Sequence, residues 1–346
     1  MKKSLLTVIL MLLGISVWAQ RNVINLKKWE FTRDKQYWQP VTVPHDWAIA
    51  GPFDKSWDLQ VTKIEQNGEQ TATEKSGRSG SLPWIGEGHY RTKFNIDKKQ
   101  FETMGRTIIE FDGAMSEPTV YVNGQKAGYW PYGYNAFRLD ITKLVKEGTN
   151  EVAVDLINLE ESSRWYPGAG IYRPVKVVMT PAIAIDPWGI SIRTKGFTSG
   201  VNNYGKNKLQ ALIDYEAQLQ MSPEIEENQF EDVALVVEVL NDQGKFEAGS
   251  HFDVTSDGHI KTLITVTNPH LWTPEEPYLY NMRARLIHKG KIIDETYTKF
   301  GIRTVEVGRE GFKLNGTPRK IQGVCLHHDL GPLGAAVNKA ALIRQV

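Results

Sequence analysis

Cysteine is nearly absent from this sequence: Cys325 is the one example in 346 residues. That excludes a disulfide framework and any zinc site built from several thiolates. An excess of charge is absent too, with 41 lysines and arginines against 40 aspartates and glutamates. No basic surplus points to nucleic acid, and no acidic surplus makes a solvating tail. After the first twenty residues no run is apolar enough to cross a bilayer as a helix. Helical periodicity of useful length is missing until the last few dozen residues. Aromatic residues, by contrast, are plentiful. The 10 Trp, 13 Tyr and 12 Phe need a packed core, which excludes disorder as a description of the whole chain. The tryptophans have two uses, core filling or flat platforms for sugar rings, and composition does not choose between them.

The N-terminus carries a targeting pattern. Lys2 and Lys3 precede an apolar stretch over 5–17, which closes on Val17-Trp18-Ala19 before Gln20. A basic head, a short apolar run and a small-x-small exit are the three parts of a secretory signal peptide. The stretch is shorter than the roughly 20 residues of a membrane-spanning helix. Residues 1–19 are therefore expected to direct export, to the periplasm or beyond, with no membrane span left after cleavage. A single cysteine suits an exported fold that does not rely on disulfides.

From Gln20 onward the pattern is that of strands. Residues 90–94 and 107–111 read as short alternating runs of strand character. The run 119–122 meets Asn123-Gly124, a dipeptide that favours the two-residue turn with positive φ at both positions, and 126–129 completes a hairpin. Further strands are expected at 150–156 and 175–180. Two prolines within 180–188 mark a domain boundary. Beyond it come 233–240, 261–267 and a hairpin of 278–287 with 291–300 around Lys289-Gly290. Residues 20–181 read as a jelly-roll sandwich and 182–303 as an immunoglobulin-like sandwich, a mostly β fold. The stretch 53–83 is long, polar and poor in strand pattern, and reads as a loop bordering a site or an interface. Glu275 and Glu276, between two prolines, read as solvated carboxylates rather than a catalytic pair.

The last segment, 304–346, changes character. A hairpin is expected around Asn315-Gly316, followed by a nearly continuous apolar run over 321–326, the kind of strand that both faces of a parallel sheet bury. The polar loop His327-His328-Asp329 comes next, and a helix is expected over 335–346. Strand, loop and helix make one β/α unit, far short of the about 250 residues of a (β/α)₈ barrel. The unit is the opening of a truncated barrel, or it packs against something else.

Three stretches resemble a known family. The first is Val41-Thr42-Val43-Pro44-His45-Asp46-Trp47 with Gly88-His89-Tyr90-Arg91. The second is Tyr121-Val122-Asn123-Gly124 with Ser163-Arg164-Trp165-Tyr166-Pro167-Gly168-Ala169-Gly170-Ile171-Tyr172-Arg173. The third joins Leu271-Trp272-Thr273-Pro274-Glu275, Pro277-Tyr278-Leu279-Tyr280 and Phe300-Gly301-Ile302-Arg303 to Phe312-Lys313-Leu314-Asn315-Gly316 and Gly323-Val324-Cys325-Leu326-His327-His328-Asp329. In this order they resemble glycoside hydrolase family 2, most closely its secreted bacterial β-galactosidase branch. His89 departs from the pattern, standing where the family usually has Trp.

The resemblance implies a sugar-binding jelly roll, an immunoglobulin-like sandwich and a catalytic (β/α)₈ barrel, in that order. It implies retaining hydrolysis of O-glycosidic bonds. One carboxylic acid protonates the leaving oxygen while a second carboxylate, about 5 Å away, forms a glycosyl-enzyme. No glutamate here matches either motif, so the catalytic pair is expected downstream of Val346 and this polypeptide alone is expected to be inactive. His327 matches a histidine that hydrogen-bonds the sugar, with His328 beside it. Asn158 and Arg164 lie on the loop before the Trp165–Arg173 motif, which the resemblance extends to the substrate, and Trp165 offers a ring face. The bland alternatives are a polar loop, a surface ion pair at Arg164 and a core position at Trp165. No metal is expected, since adjacent histidines diverge on an extended backbone and no third ligand follows at characteristic spacing. No cofactor is expected, although a full-length enzyme with a divalent or monovalent cation, or one that forms a homo-oligomer, is compatible. The expected partner is carbohydrate, a β-galactoside or related glycan, and not nucleic acid. Two readings stay open: the N-terminal portion of a β-galactosidase-like enzyme, or an exported carbohydrate-binding or assembly protein without catalysis.

Overall fold

A computed structural model describes residues 21–52, 59–66, 69–77, 84–159, 165–201, 207–222, 232–255 and 257–346. The expected signal segment, 1–19, and Arg164 lie outside the described residues. The chain divides into two compact units: residues 22–179 with 324–346, and residues 180–323 with Arg21.

The first unit is built on two sheets. One holds six antiparallel strands in the order Gln39–Thr42, Lys28–Thr32, Gly86–Ile96, Gly148–Asn158, Thr119–Val122 and Gln125–Tyr129. The other holds Asn22–Asn25, Val175–Thr180, Arg106–Phe111 and Phe137–Asp140. Strand Gly148–Asn158 shows why the fold forms. Asn150, Val152, Val154, Leu156 and Asn158 alternate inward, while the residues between them are less buried. Rings fill the core, with Phe111 stacked on Phe137 at 4.8 Å and Trp130 on Phe137 at 5.7 Å. Trp29 and Trp47 are buried, so for these two the answer to the tryptophan question is packing.

At the Asn123-Gly124 turn both residues take the expected positive φ, 51° and 79°. Asn123 Nδ2 donates to Leu144 O and to Oδ1 of the buried Asn150, tying the hairpin tip to the body of the sheet. His89 is buried, and its Nδ1 lies 2.6 Å from Asp155 Oδ1. A polar ring is accommodated here because a carboxylate of the partner strand meets it.

The second unit is also a pair of sheets. Strands Ile183–Val201, Asn207–Met221 and His259–Thr267 form one, and Phe246–Asp253, Val233–Leu240, Tyr280–His288 and Lys291–Phe300 the other. Val233, Leu235, Val237 and Val239 face a shared core with Met282, Ala284 and Leu286. On the opposite side of that strand pair Glu238 accepts from Arg283 and Arg285, at 2.6 and 2.7 Å. The turn between the last two strands is Lys289-Gly290, at φ of 48° and 74°.

Three local expectations are corrected. The polar stretch 53–83 contains a two-stranded ribbon, Leu59–Gln66 paired with Glu69–Gly77. Its mostly polar strands leave little alternation to read, although Asn67-Gly68 between them is the same dipeptide that marks the other hairpins. A short helix, Lys98–Thr103, went unread because six residues are too few for a period. Its signal is local instead, a reciprocal cap between Asp97 and Gln100. The run 321–326 pairs with no strand among the described residues, and Ile321, Val324 and Leu326 are exposed. A segment apolar on both faces becomes a strand only when neighbours satisfy its N–H and C=O groups. The following helix is confined to Lys339–Gln345, capped by Asn338, and Ala335 is instead buried in the core of the first unit.

Candidate functional site

The site lies within the first unit, where three separate segments converge. Residues 45–47 run beside 169–171, with His45 N donating to Ile171 O at 2.8 Å and Trp47 N to Ala169 O at 3.1 Å. On the other side of that strip, Gly170 exchanges hydrogen bonds with Met115 at 2.8 and 2.9 Å. Gly170 sits at φ +114°, and a Cβ there would lie 2.5 Å from Tyr90 Oη, so only glycine fits. Beneath this backbone Phe31, His45, Trp47 and Tyr90 pack ring on ring, and His45 Nδ1 lies 2.7 Å from Tyr90 Oη.

The loop after the apolar run lies on this floor. His328 Nε2 is 3.0 Å from Pro167 O. A carbonyl only accepts, so Nε2 carries the hydrogen. The ring meets Tyr134 edge-on at 5.3 Å and Tyr172 at 6.4 Å. His327 is exposed and meets Trp165 edge-on at 6.1 Å, while Trp165 Nε1 donates to Tyr134 Oη at 2.9 Å. Trp165 is 39% exposed and Tyr132 52%. The bland reading of Trp165 as a core residue is thus corrected. An indole whose N–H is held in place presents part of its surface to solvent.

His327, His328 and Trp165 therefore come together. Asn158 does not join them. It is buried at the end of its strand, where Nδ2 donates to Trp84 O and Oδ1 finds no partner among the described residues. Arg164 lies outside the described residues. Tyr132 and Tyr134 were missed in the sequence, since only the fold brings 134 and 328 into contact. The Tyr-Gly-Tyr spacing carries no signal of it.

Asp46 was quoted only as part of a motif, yet it holds the site's floor. It is 3% exposed, and Tyr166 Oη lies 2.6 Å from both of its carboxylate oxygens. Ala48 N donates to it at 3.1 Å and Ala335 N at 2.8 Å. Burial raises its pKa to about 6, against the opposing pull of these donors. Burial lowers that of His45 to about 4. The groups gathered here are imidazoles and phenols, which can exchange hydrogen bonds with hydroxyls, and an indole face, which can pack on C–H groups.

The fold and this surface define a mostly β module of two sandwich units that presents aromatic rings and imidazoles on one face of the first. Sequence comparison then places it. Residues 27–181 match the profile of the glycosyl hydrolases family 2 sugar binding domain, and 208–303 that of glycosyl hydrolases family 2. The chain belongs to glycoside hydrolase family 2.

Among curated relatives, β-galactosidase BoGH2A of Bacteroides ovatus is 35% identical over 318 residues, covering 89% of this chain and 33% of its own length. A Formosa agariphila protein provisionally named a β-glucuronidase is 34% identical over 311 residues, covering 89% of this chain and 27% of itself. Among solved structures, a family 2 member from Bacteroides cellulosilyticus superimposes with a TM-score of 0.77 at 27% identity, covering 93% of this chain and 41% of that one. The chain spans about a quarter to a third of the length of the curated relatives it matches.

Proposed function

We propose that this chain supplies the sugar-facing front of a retaining β-glycosidase, most like a β-galactosidase, and that it does not cleave glycosides unaided. The carrying observation is the exposed ring of Trp165, a residue of the family 2 sugar-binding domain, meeting His327 edge-on at 6.1 Å. His327 donates to or accepts from a sugar hydroxyl, and Trp165 stacks on the C–H side of the ring. His328 is held to Pro167 O and sets the angle of the loop. Asn158 and Arg164 belong to the same proposal as residues of the loop that borders the substrate. The two carboxylates of retaining hydrolysis are assigned to a (β/α)₈ barrel beyond these 346 residues. Export by the 1–19 segment fits a protein that meets glycans outside the cytoplasm.

The test is titration of the purified chain with an aryl β-galactoside, with the matching β-glucuronide in parallel, followed by saturation-transfer NMR. Binding of the galactoside that weakens in Trp165→Ala and His327→Ala is expected, with no release of the aryl group above a heat-inactivated control. Tighter binding of the glucuronide would reassign the substrate class, and equal binding by both variants would remove the site.

A further inference from the structure

We propose that Asp46 is a positioning residue: by accepting the Ala335 N–H it docks residues 327–335 and so fixes where His327 and His328 stand. The docking follows from contacts within the first unit. That the docked histidines face a sugar rests on the function proposed above.

The turn is held at three points. His328 Nε2 reaches Pro167 O at 3.0 Å, Ala335 N reaches Asp46 Oδ2 at 2.8 Å, and Val337 N reaches Tyr172 O at 2.9 Å. Two of the three acceptors are backbone carbonyls, which any sequence provides. The third is a buried carboxylate 289 positions away in the chain. Removing a carboxylate from water is costly, and a core that needed only volume there would be served better by an apolar side chain. Asp46 collects donors from its own turn (Ala48), from Tyr166 and from Ala335. Floor, rim and histidine loop thus meet at one carboxylate.

Two glycines make the approach close enough. A Cβ on Gly334 would lie 2.5 Å from Asp46 Oδ2 and 2.7 Å from Ile49 Cγ2. A Cβ on Gly168 would lie 2.4 Å from that of Ala335. Leu330 N donates to Gly334 O at 2.8 Å, so the loop is also closed on itself. Its backbone is therefore a preformed knob, and Asp46 is the side chain at the bottom of its socket.

Substitution of Asp46 by Asn keeps the shape but not the pattern of acceptors. Whichever way the amide is turned, its NH₂ faces one of the two backbone N–H groups that Asp46 now satisfies. Native-state hydrogen exchange on the full chain reads the result. Asp46→Asn is expected to speed exchange at the amides of Ala335 and Val337 by about tenfold or more, leaving Val152 and Val154 in the core strand little changed. Unchanged exchange at 335 and 337, or an equal rise across the core, would overturn the proposal. Should Asp46→Asn fail to fold, Gly334→Ala reads the same contact from the other side, with the carboxylate intact. Local loosening at 335–337 supports the proposal, and its absence refutes it. Titration with the aryl β-galactoside separates the two claims. Weakened binding in Asp46→Asn is expected, whereas His327→Ala and Trp165→Ala binding as the parent does would defeat the functional reading and leave the docking result standing.

Discussion

Gly168 and Ala335 meet so closely that a methyl group added to the glycine would lie 2.4 Å from the alanine Cβ, a separation two carbons do not tolerate. Gly168 also stands at φ +88°, where an L side chain is strained. Gly168→Ala is therefore expected to cost about 2–4 kcal/mol, from backbone strain together with overpacking. Urea denaturation followed through the aromatic core of the first unit would show it as a lower midpoint. A variant as stable as the parent would mean that the 335 region is not seated on the strip formed by 167–171.

The neighbours His45 and Asp46 are both perturbed by burial, with opposite consequences for acid stability. Asp46 is raised from 3.8 to about 6, so the fold favours its uncharged form. Its contribution is fully present below pH 3.8 and is lost as pH rises through 6. His45 is lowered from 6.5 to about 4, so the fold favours the neutral ring. Its contribution is present above pH 6.5 and is lost as pH falls through 4. At 1.36 kcal/mol per pH unit, each is worth about 3 kcal/mol. Between pH 4 and 6 the two trends offset each other. His45→Gln should expose the aspartate, giving a chain that loses stability as pH rises across that window. Asp46→Asn should expose the histidine and gain stability instead. Denaturation midpoints at three pH values would decide, and parallel curves for parent and variants would refute the assignment.

Much of the fold is legible because half-buried strands announce themselves. The runs 175–180, 233–240 and 291–300 coincide with observed strands. Asn-Gly and Lys-Gly turns closed the hairpins by requiring positive φ, which few residue pairs supply. The run 321–326 misled because apolar composition states what a segment needs, not whether a partner strand is present. The site was half legible. The order of motifs pointed to His327, His328 and Trp165, which do meet, whereas Asn158 is held beneath Trp84 by its own amide. Asp46 could not be read at all. Its role depends on a contact spanning 289 positions, and nothing local distinguishes a socket from a surface aspartate.

In the second unit, Asp294 is 1% exposed and makes an ion pair with Arg21 at 2.9 Å, while Ile185 N donates to its carboxylate at 2.8 Å. The guanidinium also reaches Ile185 O, so residue 21, strand Ile183–Val201 and strand Lys291–Phe300 are pinned at one place. Asp294→Ala would leave a part-buried cation without its counter-charge and a buried N–H without its acceptor, a loss of about 3–5 kcal/mol. Arg21→Met with Asp294→Leu should recover a good part of it, since a packed apolar pair carries no desolvation cost. Calorimetry on the single and double variants checks both statements. A double variant no better than Asp294→Ala would mean that the Ile185 N–H, not the charge, carries the loss.

Tyr215 poses the reverse case. Its ring is fully buried in the core of the second unit among the inward residues of strands Asn207–Met221 and His259–Thr267, and its hydroxyl has no hydrogen-bond partner among the described residues. Burial pushes its pKa well up, so the group stays a phenol at any pH the fold survives. An unpaired hydroxyl in such a place costs about 1–3 kcal/mol of desolvation with nothing in return. Tyr215→Phe deletes that atom and keeps the ring, at the risk of a void no larger than one oxygen. The variant is therefore expected to be as stable as the parent or about 1 kcal/mol better, seen as a higher thermal midpoint for this unit. Destabilisation by about 1 kcal/mol or more would show that the hydroxyl is partnered after all. Tyr215 would then join the polar groups that the core retains for specificity rather than for packing.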